Sequence, residues 1–224
     1  MKQQWLHRNE RKKLLLFFSG WACDERPFAP LRSEEYDVLM FYDYTEPEPD
    51  PSVDFGELFR RYDQVDLLAW SFGVKVAQHL LQNFSSKIKT KMAINGTCRP
   101  VDARLGIAPQ MALSTLEMLS EKNLRKFQRR MLANPSAWEA FQQHLPHREW
   151  ESARQELKNL LHRFEGMTDT ADFYNKALIG TEDLIFPAPN QVNYWHGKLE
   201  YIAVAQAHFG FYDYRSWEEI MTLR

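Results

Sequence analysis

Ser71 lies between an apolar run and a stretch of helical periodicity, in the segment Leu-Leu-Ala-Trp-Ser-Phe-Gly at residues 67–73. This arrangement is typical of a nucleophile elbow, a tight strand-to-helix turn that exposes a serine hydroxyl near the positive end of the helix. The turn requires small flanking residues, and Ala69 and Gly73 stand two positions before and after Ser71. Because alanine replaces the first glycine of the usual pattern, an ordinary helix N-cap is the alternative role of Ser71.

A serine hydroxyl is a poor nucleophile at neutral pH, so acyl transfer needs a histidine base and a carboxylate that orients the histidine. Asp183 and His208 each follow an apolar, strand-like run, and the order Ser71, Asp183, His208 is the one used by the α/β-hydrolase fold. Other carboxylates compete for the acid role, with a helix cap as the alternative role of each: Glu182, Asp169, Asp172 and Asp213. We interpret the remaining histidines as surface or core residues: His7, His79, His144, His147, His162 and His196.

The tetrahedral intermediate of acyl transfer also needs two backbone amides directed at its negative charge. One amide is expected from Phe72, the residue after the serine, and the other from Trp21, in the loop after the first core strand. Gly20 would let that loop turn so that the Trp21 amide faces Ser71. A simple turn is the alternative role of this glycine.

Short apolar runs alternate with helical patterns along the chain, which predicts a mostly parallel sheet of about six strands with helices on both faces. Together with the order of Ser71, Asp183 and His208, this organisation resembles a compact α/β-hydrolase fold. The predicted strands are residues 14–18, 38–42, 65–69, 92–94, 176–179 and 201–205. Residues 55–62 and 74–84 are predicted to be helices, and the second helix has an apolar face at helical spacing.

Residues 101–170 carry helix signals and no strand signal, which indicates a helical cap inserted into a single domain of residues 1–224. Ser114 and Glu117 are spaced as a capping box, and Ser120 is placed to begin a further helix. Residues 150–164 form a later amphipathic pattern. A cap inserted after the fourth predicted strand would cover the carboxyl ends of the strands, where open α/β sheets bind ligands.

Composition excludes several classes of protein. The chain has 224 residues, 44% of them hydrophobic, and a formal net charge of −2, so it can bury a full core and lacks the basic field of a nucleic-acid binder. The apolar run at residues 14–18 is too short for a membrane span and lacks a signal-peptide cleavage site. Cys23 and Cys98 do not form a disulfide or metal motif, which favours a cytoplasmic protein. We expect a monomer that binds neither nucleic acid nor membrane.

With these residues in place, the chain resembles the α/β-hydrolase superfamily, and within it the BioG type of pimeloyl-[acyl-carrier-protein] methyl ester esterase. The resemblance rests on Phe-Phe-Ser-Gly-Trp at 17–21, Ala-Trp-Ser-Phe-Gly at 69–73, Gly-Thr-Glu-Asp at 180–183 and Ala-His-Phe at 207–209. It implies a serine esterase that removes the methyl cap from pimeloyl-acyl carrier protein methyl ester in biotin biosynthesis. The reaction would need no metal and no organic cofactor.

The same resemblance implies that acyl carrier protein, an acidic partner, contacts basic residues of the cap and that Phe127 faces the acyl channel. The candidates for this contact, whose alternative role is a solvated helix face, are Lys122, Arg125, Lys126, Arg129 and Arg130. Two other functions stay open from the sequence. One is an acyl thioesterase or a general short-chain carboxylesterase, and the other is a non-catalytic binding module in which Ser71 is only a cap.

Overall fold

Seven strands form one sheet in the computed structural model, which describes residues 1–46, 48–51, 53–166 and 173–223. They are β1 (Lys2–His7), β2 (Lys13–Phe18), β3 (Tyr36–Tyr42), β4 (Gln64–Trp70), β5 (Lys91–Ile94), β6 (Lys176–Gly180) and β7 (Tyr201–Val204). Their order across the sheet is β1-β3-β2-β4-β5-β6-β7, and every neighbouring pair is parallel except β1 with β3. The predicted fold class, with its mostly parallel sheet, is confirmed.

Eight α-helices accompany the sheet within the described residues. They are α1 (Phe55–Arg61), α2 (Gly73–Leu81), α3 (Pro109–Glu117), α4 (Glu121–Arg130), α5 (Pro135–Gln143), α6 (Trp150–Phe164), α7 (Ala188–Trp195) and α8 (Trp217–Met221). The helix predicted at 74–84 is shorter than expected, because a 3-10 helix, Gln82–Lys87, replaces its last turn. Among these described helices, none has the length and apolar character needed to cross a membrane.

Strand β2 shows how the sheet separates two cores. Leu14, Leu16 and Phe18 belong to one cluster of buried residues, which includes side chains of α2, α6 and α7. Leu15 and Phe17 belong to the opposite cluster, which includes side chains of α8. Parallel strands that are covered on both faces have continuous apolar sequences rather than alternating ones. This explains why so short an apolar run was recognisable as a strand.

The sheet has one strand more than the six predicted. Strand β1 pairs antiparallel with β3 at the edge of the sheet, and its register shifts between Trp5 and His7. Lys2, Gln3 and Gln4 give it no apolar run, because an edge strand is only half covered. Its hydrogen bonds to β3 hold it in the sheet, and Trp5 and Leu6 pack against the two core clusters.

Helices α3 to α6 lie between β5 and β6, and we call them the cap helices. The predicted capping box at Ser114 and Glu117 is wrong, because α3 begins at Pro109 and includes both residues. Proline favours the first turn of a helix, where its missing amide costs no hydrogen bond. Ser120 does cap α4, its side chain accepting a hydrogen bond from the Asn123 amide. The predicted end of the cap, Thr170, lies outside the described residues.

An aromatic cluster fills the core on the β2 face that contains Phe17. We define it as Phe17, Phe28, Trp70, Phe209, Phe211 and Trp217, all of which are buried. The ring of Phe28 contacts all five others, at centroid distances of 4.7 Å to Phe17 and 6.1 Å to Trp70, for example. Trp70 directly precedes Ser71 and Phe209 directly follows His208 in the sequence. The cluster thus packs against the two chain segments that carry Ser71 and His208.

Phe28→Ala should lower the free energy of unfolding by about 3–5 kcal/mol, because it leaves a cavity at the centre of the aromatic cluster. Urea denaturation measures this loss. Phe59→Ala is the control, since Phe59 is only half-buried on the other side of the sheet and its removal should cost less. Equal losses for the two variants would contradict the central place of Phe28.

Candidate active site

Ser71 occupies a strained turn between β4 and α2. Its backbone has φ of 58°, in the left-handed region that residues other than glycine rarely adopt. A Cβ atom at Gly73 would lie 2.4 Å from the carbonyl oxygen of Ser19, and one at Gly96 would lie 2.5 Å from the carbonyl oxygen of Ser71. These glycines therefore let the chain segments that follow β2, β4 and β5 meet at the turn, as a nucleophile elbow requires.

His208 joins Ser71 to Asp183. Its Nε2 atom lies 3.0 Å from Oγ of Ser71, and its Nδ1 atom lies 2.7 Å from Oδ2 of Asp183. All three residues are buried. With Nδ1 protonated and bound to the carboxylate, Nε2 is free to accept the serine proton. The structure thus brings the three predicted residues together in the geometry of a hydrolytic triad.

Asp183 has a separate partner set for each carboxylate oxygen. Oδ1 accepts hydrogen bonds from the amides of Ile185, at 2.8 Å, and Phe186, at 2.7 Å. Oδ2 contacts His208 and also accepts from Nε2 of Gln191, at 3.2 Å. These two bonds close a local turn before α7, whose N-cap is Pro187, so Asp183 does not have the helix-capping role that was the alternative. Because two amides fix one oxygen, the other is held toward the imidazole.

The competing acids do not occupy this position. The side chains of Glu182 and Asp213 are exposed, whereas Asp169 and Asp172 lie outside the described residues. Of the seven histidines, all of which the structure describes, only His208 borders the cleft that contains Ser71. Across the described part of the chain, no group of three or more His, Cys, Asp or Glu side chains is arranged to hold a metal ion.

Trp21 and Phe72 border the same cleft as Ser71. Within the described residues, neither backbone amide donates a hydrogen bond to another part of the protein. The Phe72 amide lies at the start of α2, where the helix dipole favours negative charge. A Cβ atom at Gly20 would lie only 3.2 Å from Cβ of Ser71, so the loop after β2 approaches the elbow closely. Both amides are available to an oxygen atom bound beside Ser71.

The cleft above Ser71 has a volume of about 590 Å³ and a mainly apolar lining. Three residues that are more than half exposed line it: Met111 of α3, Met118 directly after α3, and Leu184. Phe127 of α4 also lines the cleft, and its ring packs edge-on against Trp21 at 4.8 Å between centroids. The cleft can therefore accept a flexible apolar chain that ends at the serine.

The five basic residues of α4 face different surroundings. Lys126 and Arg130, one helical turn apart, line the cleft. Arg129 packs over the ring of Trp138 and donates a hydrogen bond to the carbonyl oxygen of Asn134. Lys122 and Arg125 are exposed, and neither lines the cleft within the described residues. Of the five cations, Lys126 and Arg130 are therefore the two that border the cleft containing Ser71 within the described residues.

Asn95 is a site residue that sequence reasoning missed. It is buried at the end of β5, with a left-handed φ of 47°. Its Nδ2 atom donates to the carbonyl oxygens of Ala207 and His208, at 3.1 Å and 2.9 Å, and its Oδ1 atom accepts from the amide of Gly180 at 2.7 Å. One side chain thereby joins the end of β6, from which the loop with Asp183 starts, to the loop that carries His208. The available signal was a polar residue directly after an apolar strand, the same signal that identified the triad.

Comparison with known proteins identifies the family. The profile of the family described as "Pimeloyl-ACP methyl esterase BioG" matches residues 1–220. The chain belongs to the BioG family. The crystal structure of BioG from Haemophilus influenzae superposes on it with a TM-score of 0.89 at 28% sequence identity, covering 99% of this chain and 100% of that one. An esterase from Thermogutta terrifontis, at 13% identity and a TM-score of 0.64, covers 98% of this chain and 89% of its own and shares the α/β-hydrolase fold.

Two curated relatives of this BioG family member differ in length. An uncharacterised protein from Haemophilus influenzae is 31% identical over 210 residues, which are 92% of this chain and 93% of that protein. A protein from Bacteroides fragilis, named malonyl-[acyl-carrier protein] O-methyltransferase, is 38% identical over 186 residues. Those residues are 83% of this chain, which spans only 37% of the Bacteroides protein.

Asn95→Ala should slow the reaction of Ser71 with a fluorophosphonate by roughly 10-fold or more, because the His208 carbonyl keeps only its bond from Nε1 of Trp70 and small displacements of reacting groups are costly. The free energy of unfolding should fall by about 1–3 kcal/mol, since the buried Gly180 amide and Ala207 carbonyl lose a partner. Labelling rates and urea denaturation measure the two effects.

Asn175→Ala is the matched control for this variant. Asn175 also joins β5 to the chain near β6, through Lys91 and Lys89, but does so at the opposite end of these strands. Its removal should leave the labelling rate unchanged. Similar slowing in both variants would show that Asn95 acts through general stability rather than through His208.

Proposed function

We propose that this protein is a serine carboxylesterase that hydrolyses the methyl ester of pimeloyl-acyl carrier protein methyl ester, releasing methanol, in biotin biosynthesis. The observation that carries the proposal is the continuous contact from Ser71 through His208 to Asp183 in the cleft. Membership of the BioG family supports the choice of ester and carrier.

In the proposed acylation step, Oγ of Ser71 attacks the ester carbonyl while Nε2 of His208 takes the hydroxyl proton. Asp183 stabilises the imidazolium that forms. The carbonyl oxygen gains negative charge, and the amides of Trp21 and Phe72 donate hydrogen bonds to it. When the tetrahedral intermediate collapses, His208 gives its proton to the leaving methoxide, which departs as methanol.

In the deacylation step, water attacks the acyl-enzyme and His208 acts as base again. The second tetrahedral intermediate uses the same two amides. Its collapse returns the proton to Ser71 and releases the free carboxylic acid on the carrier. The net reaction consumes only the ester and one water molecule.

The cleft favours an acyl chain as substrate. Its apolar wall, including Met111, Met118 and Leu184, matches a run of methylene groups that leads from the surface to Ser71. Lys126 and Arg130 lie at the same cleft and carry positive charge toward an acidic carrier. We therefore assign these two residues, of the five basic candidates, the main part in carrier contact.

The name of the Bacteroides relative fits this proposal without transferring its activity to this chain. A malonyl-carrier methyltransferase makes a methyl ester on an acyl carrier protein, and the proposed reaction removes such a methyl group. Because this chain spans only 37% of that protein, the methyltransferase name describes a much longer polypeptide. The likeness supports a carrier-bound methyl ester as substrate.

Thioesterase activity is the alternative within the same chemistry, since an identical triad attacks either carbonyl of the substrate. A comparison of kcat/KM for the methyl ester and the thioester of one carrier-bound acyl group separates the two. Preferential release of methanol supports the proposal. Preferential release of the carrier thiol would assign the protein as a thioesterase.

Ser71→Ala should lower kcat by roughly 10⁴-fold or more, because the nucleophile is lost and only the remaining site stabilises the transition state. It should also abolish fluorophosphonate labelling, detected by mass spectrometry of the intact protein. Ser216→Ala, which removes the N-cap of α8 far from the triad, should keep both activities. Labelling that persists in Ser71→Ala would place the nucleophile elsewhere.

Growth without biotin tests the proposed pathway. A bacterium that lacks its own methyl esterase should grow when it carries the wild-type gene and fail to grow with the Ser71→Ala variant. Hydrolysis of the methyl ester in vitro without rescue of growth would support the chemistry but reject the biological substrate.

Reversal of the two cleft cations, Lys126→Glu with Arg130→Glu, should raise KM for the carrier-bound ester by roughly 5-fold or more, because each exposed ion pair contributes about 0.2–1 kcal/mol. Wild-type KM should rise with salt for the same reason. A methyl ester without carrier should be hydrolysed equally by both proteins. Lys158→Glu, an exposed change on α6, is the matched control. An unchanged KM in the double variant would reject carrier contact at these residues.

A further inference from the structure

A buried ionic cluster joins the cap helix α6 to the loop beside the nucleophile. We define the cluster as Arg148, Asp43 and Glu156, whose side chains are 5%, 7% and 0% exposed. Nη2 of Arg148 lies 3.1 Å from Oδ1 of Asp43 and 3.1 Å from Oε2 of Glu156. Burial raises the pKa of Glu156, and the attraction of Arg148 opposes this shift.

Both oxygens of Glu156 also hold backbone amides. Oε2 accepts from the amide of Ala22 at 3.2 Å, and Oε1 accepts from the amide of Tyr44 at 2.9 Å. The carboxylate therefore connects α6 to the loops that follow β2 and β3. A buried ion pair is seldom more stabilising than an apolar replacement of the same size. These directed hydrogen bonds from backbone amides indicate that Glu156 positions the two loops rather than adding to the stability of the fold.

The loop after β2 is tied to the cap region at three successive residues. The indole Nε1 of Trp21 donates to the carbonyl oxygen of Ala153 in α6 at 2.7 Å. The Ala22 amide donates to Glu156, and the carbonyl oxygen of Cys23 accepts from Nη1 of Arg148 at 3.2 Å. Trp21 also lines the cleft beside Ser71, and its backbone amide donates no hydrogen bond within the described residues.

The Ala22 backbone shows why this loop needs external support. Its φ of 61° lies in the left-handed region, which an alanine side chain disfavours. In a free loop, the peptide group between Trp21 and Ala22 would reorient to relieve this conformation. The preceding peptide group, which carries the Trp21 amide, would shift with it. Because Glu156 holds the Ala22 amide, the neighbouring Trp21 amide stays free for the cleft.

We propose that Glu156, supported by Arg148, is a positioning residue that holds the loop of residues 20–23 so that the Trp21 amide faces the oxyanion formed at Ser71. The inference rests on the proposed esterase function and deepens it. It makes the cap helix α6 a support for the oxyanion hole as well as a covering element. Glu156 itself does not border the cleft within the described residues, and it acts through the loop.

Glu156→Gln tests this role, because glutamine has nearly the same shape but lacks the charge and places a donor beside Arg148 or an amide. We expect kcat for the methyl ester to fall by roughly 10- to 100-fold, with KM within about twofold of wild type. This fall is smaller than the roughly 10²–10³-fold for a lost oxyanion donor, because the donor is displaced rather than removed. Affinity for a trifluoromethyl ketone, whose adduct with Ser71 carries an oxyanion, should fall by a similar factor.

Glu151→Gln is the matched control, since it makes the same chemical change at an exposed position of α6. It should keep the kcat and inhibitor affinity of the wild type. If Glu156→Gln does not fold, Arg148→Lys provides the second test, because it keeps the positive charge but removes the guanidinium fork that bridges Glu156 and Cys23. It should lower kcat and inhibitor affinity in the same direction with a smaller effect.

The outcomes separate this inference from the proposed function. A wild-type protein that neither hydrolyses the ester nor reacts with fluorophosphonate would overturn both. An active wild type together with a folded Glu156→Gln variant of unchanged kcat and inhibitor affinity would overturn the positioning role alone. A fall in kcat and inhibitor affinity at constant KM supports the inference, because a general loss of stability would not selectively weaken binding of the oxyanion.

Discussion

The contact between Ser71 and His208 depends on the left-handed backbone of Ser71, which turns the chain sharply from β4 into α2. A serine in this conformation costs free energy, on the order of 1 kcal/mol, so the surroundings must hold it there. The backbone segments at the end of β2 and after β5 pack against the turn, and Gly73 and Gly96 give them room by omitting side chains. Their packing makes the strained turn part of the core rather than a flexible loop.

Buried polar side chains then fix the loops around this turn. Asn95 joins the end of β6 to the loop after β7, and Asp183 joins its own turn to His208. Glu156 joins α6 to the loops after β2 and β3. Burial of such groups without partners is costly, so alternative loop positions that leave them unpaired are disfavoured. The buried groups that position the triad and the loop of residues 20–23 thus also specify one arrangement of the chain at the carboxyl ends of the strands.

The sequence allowed prediction of the features that have local signals. Ser71, Asp183 and His208 each follow an apolar strand, and their order along the chain is that of an α/β-hydrolase triad. These two local features predict that the three side chains lie together. Strand β1 had no such signal, because its pairing with β3 holds polar residues at the sheet edge. The capping box at Ser114 failed because Pro109 begins α3 earlier.

Long-range positioning contacts could not be predicted. Asn95 contacts a loop more than 110 residues away in the sequence. Its place directly after an apolar strand marks it as a candidate site residue but does not reveal this contact. Glu151 and Glu156 belong to the same helix and differ in sequence only by their place on it, yet one is exposed and the other is fully buried. Their separate roles follow only from the packing of α6 against loops that lie far away in the chain.

The most direct test of the account is a crystal structure of the protein after reaction with a phosphonate analogue of the acyl ester. The account predicts a covalent bond from phosphorus to Oγ of Ser71, with the phosphoryl oxygen about 2.7–3.1 Å from the amide nitrogens of both Trp21 and Phe72. An adduct on another residue, or a phosphoryl oxygen directed away from those amides into solvent, would contradict it.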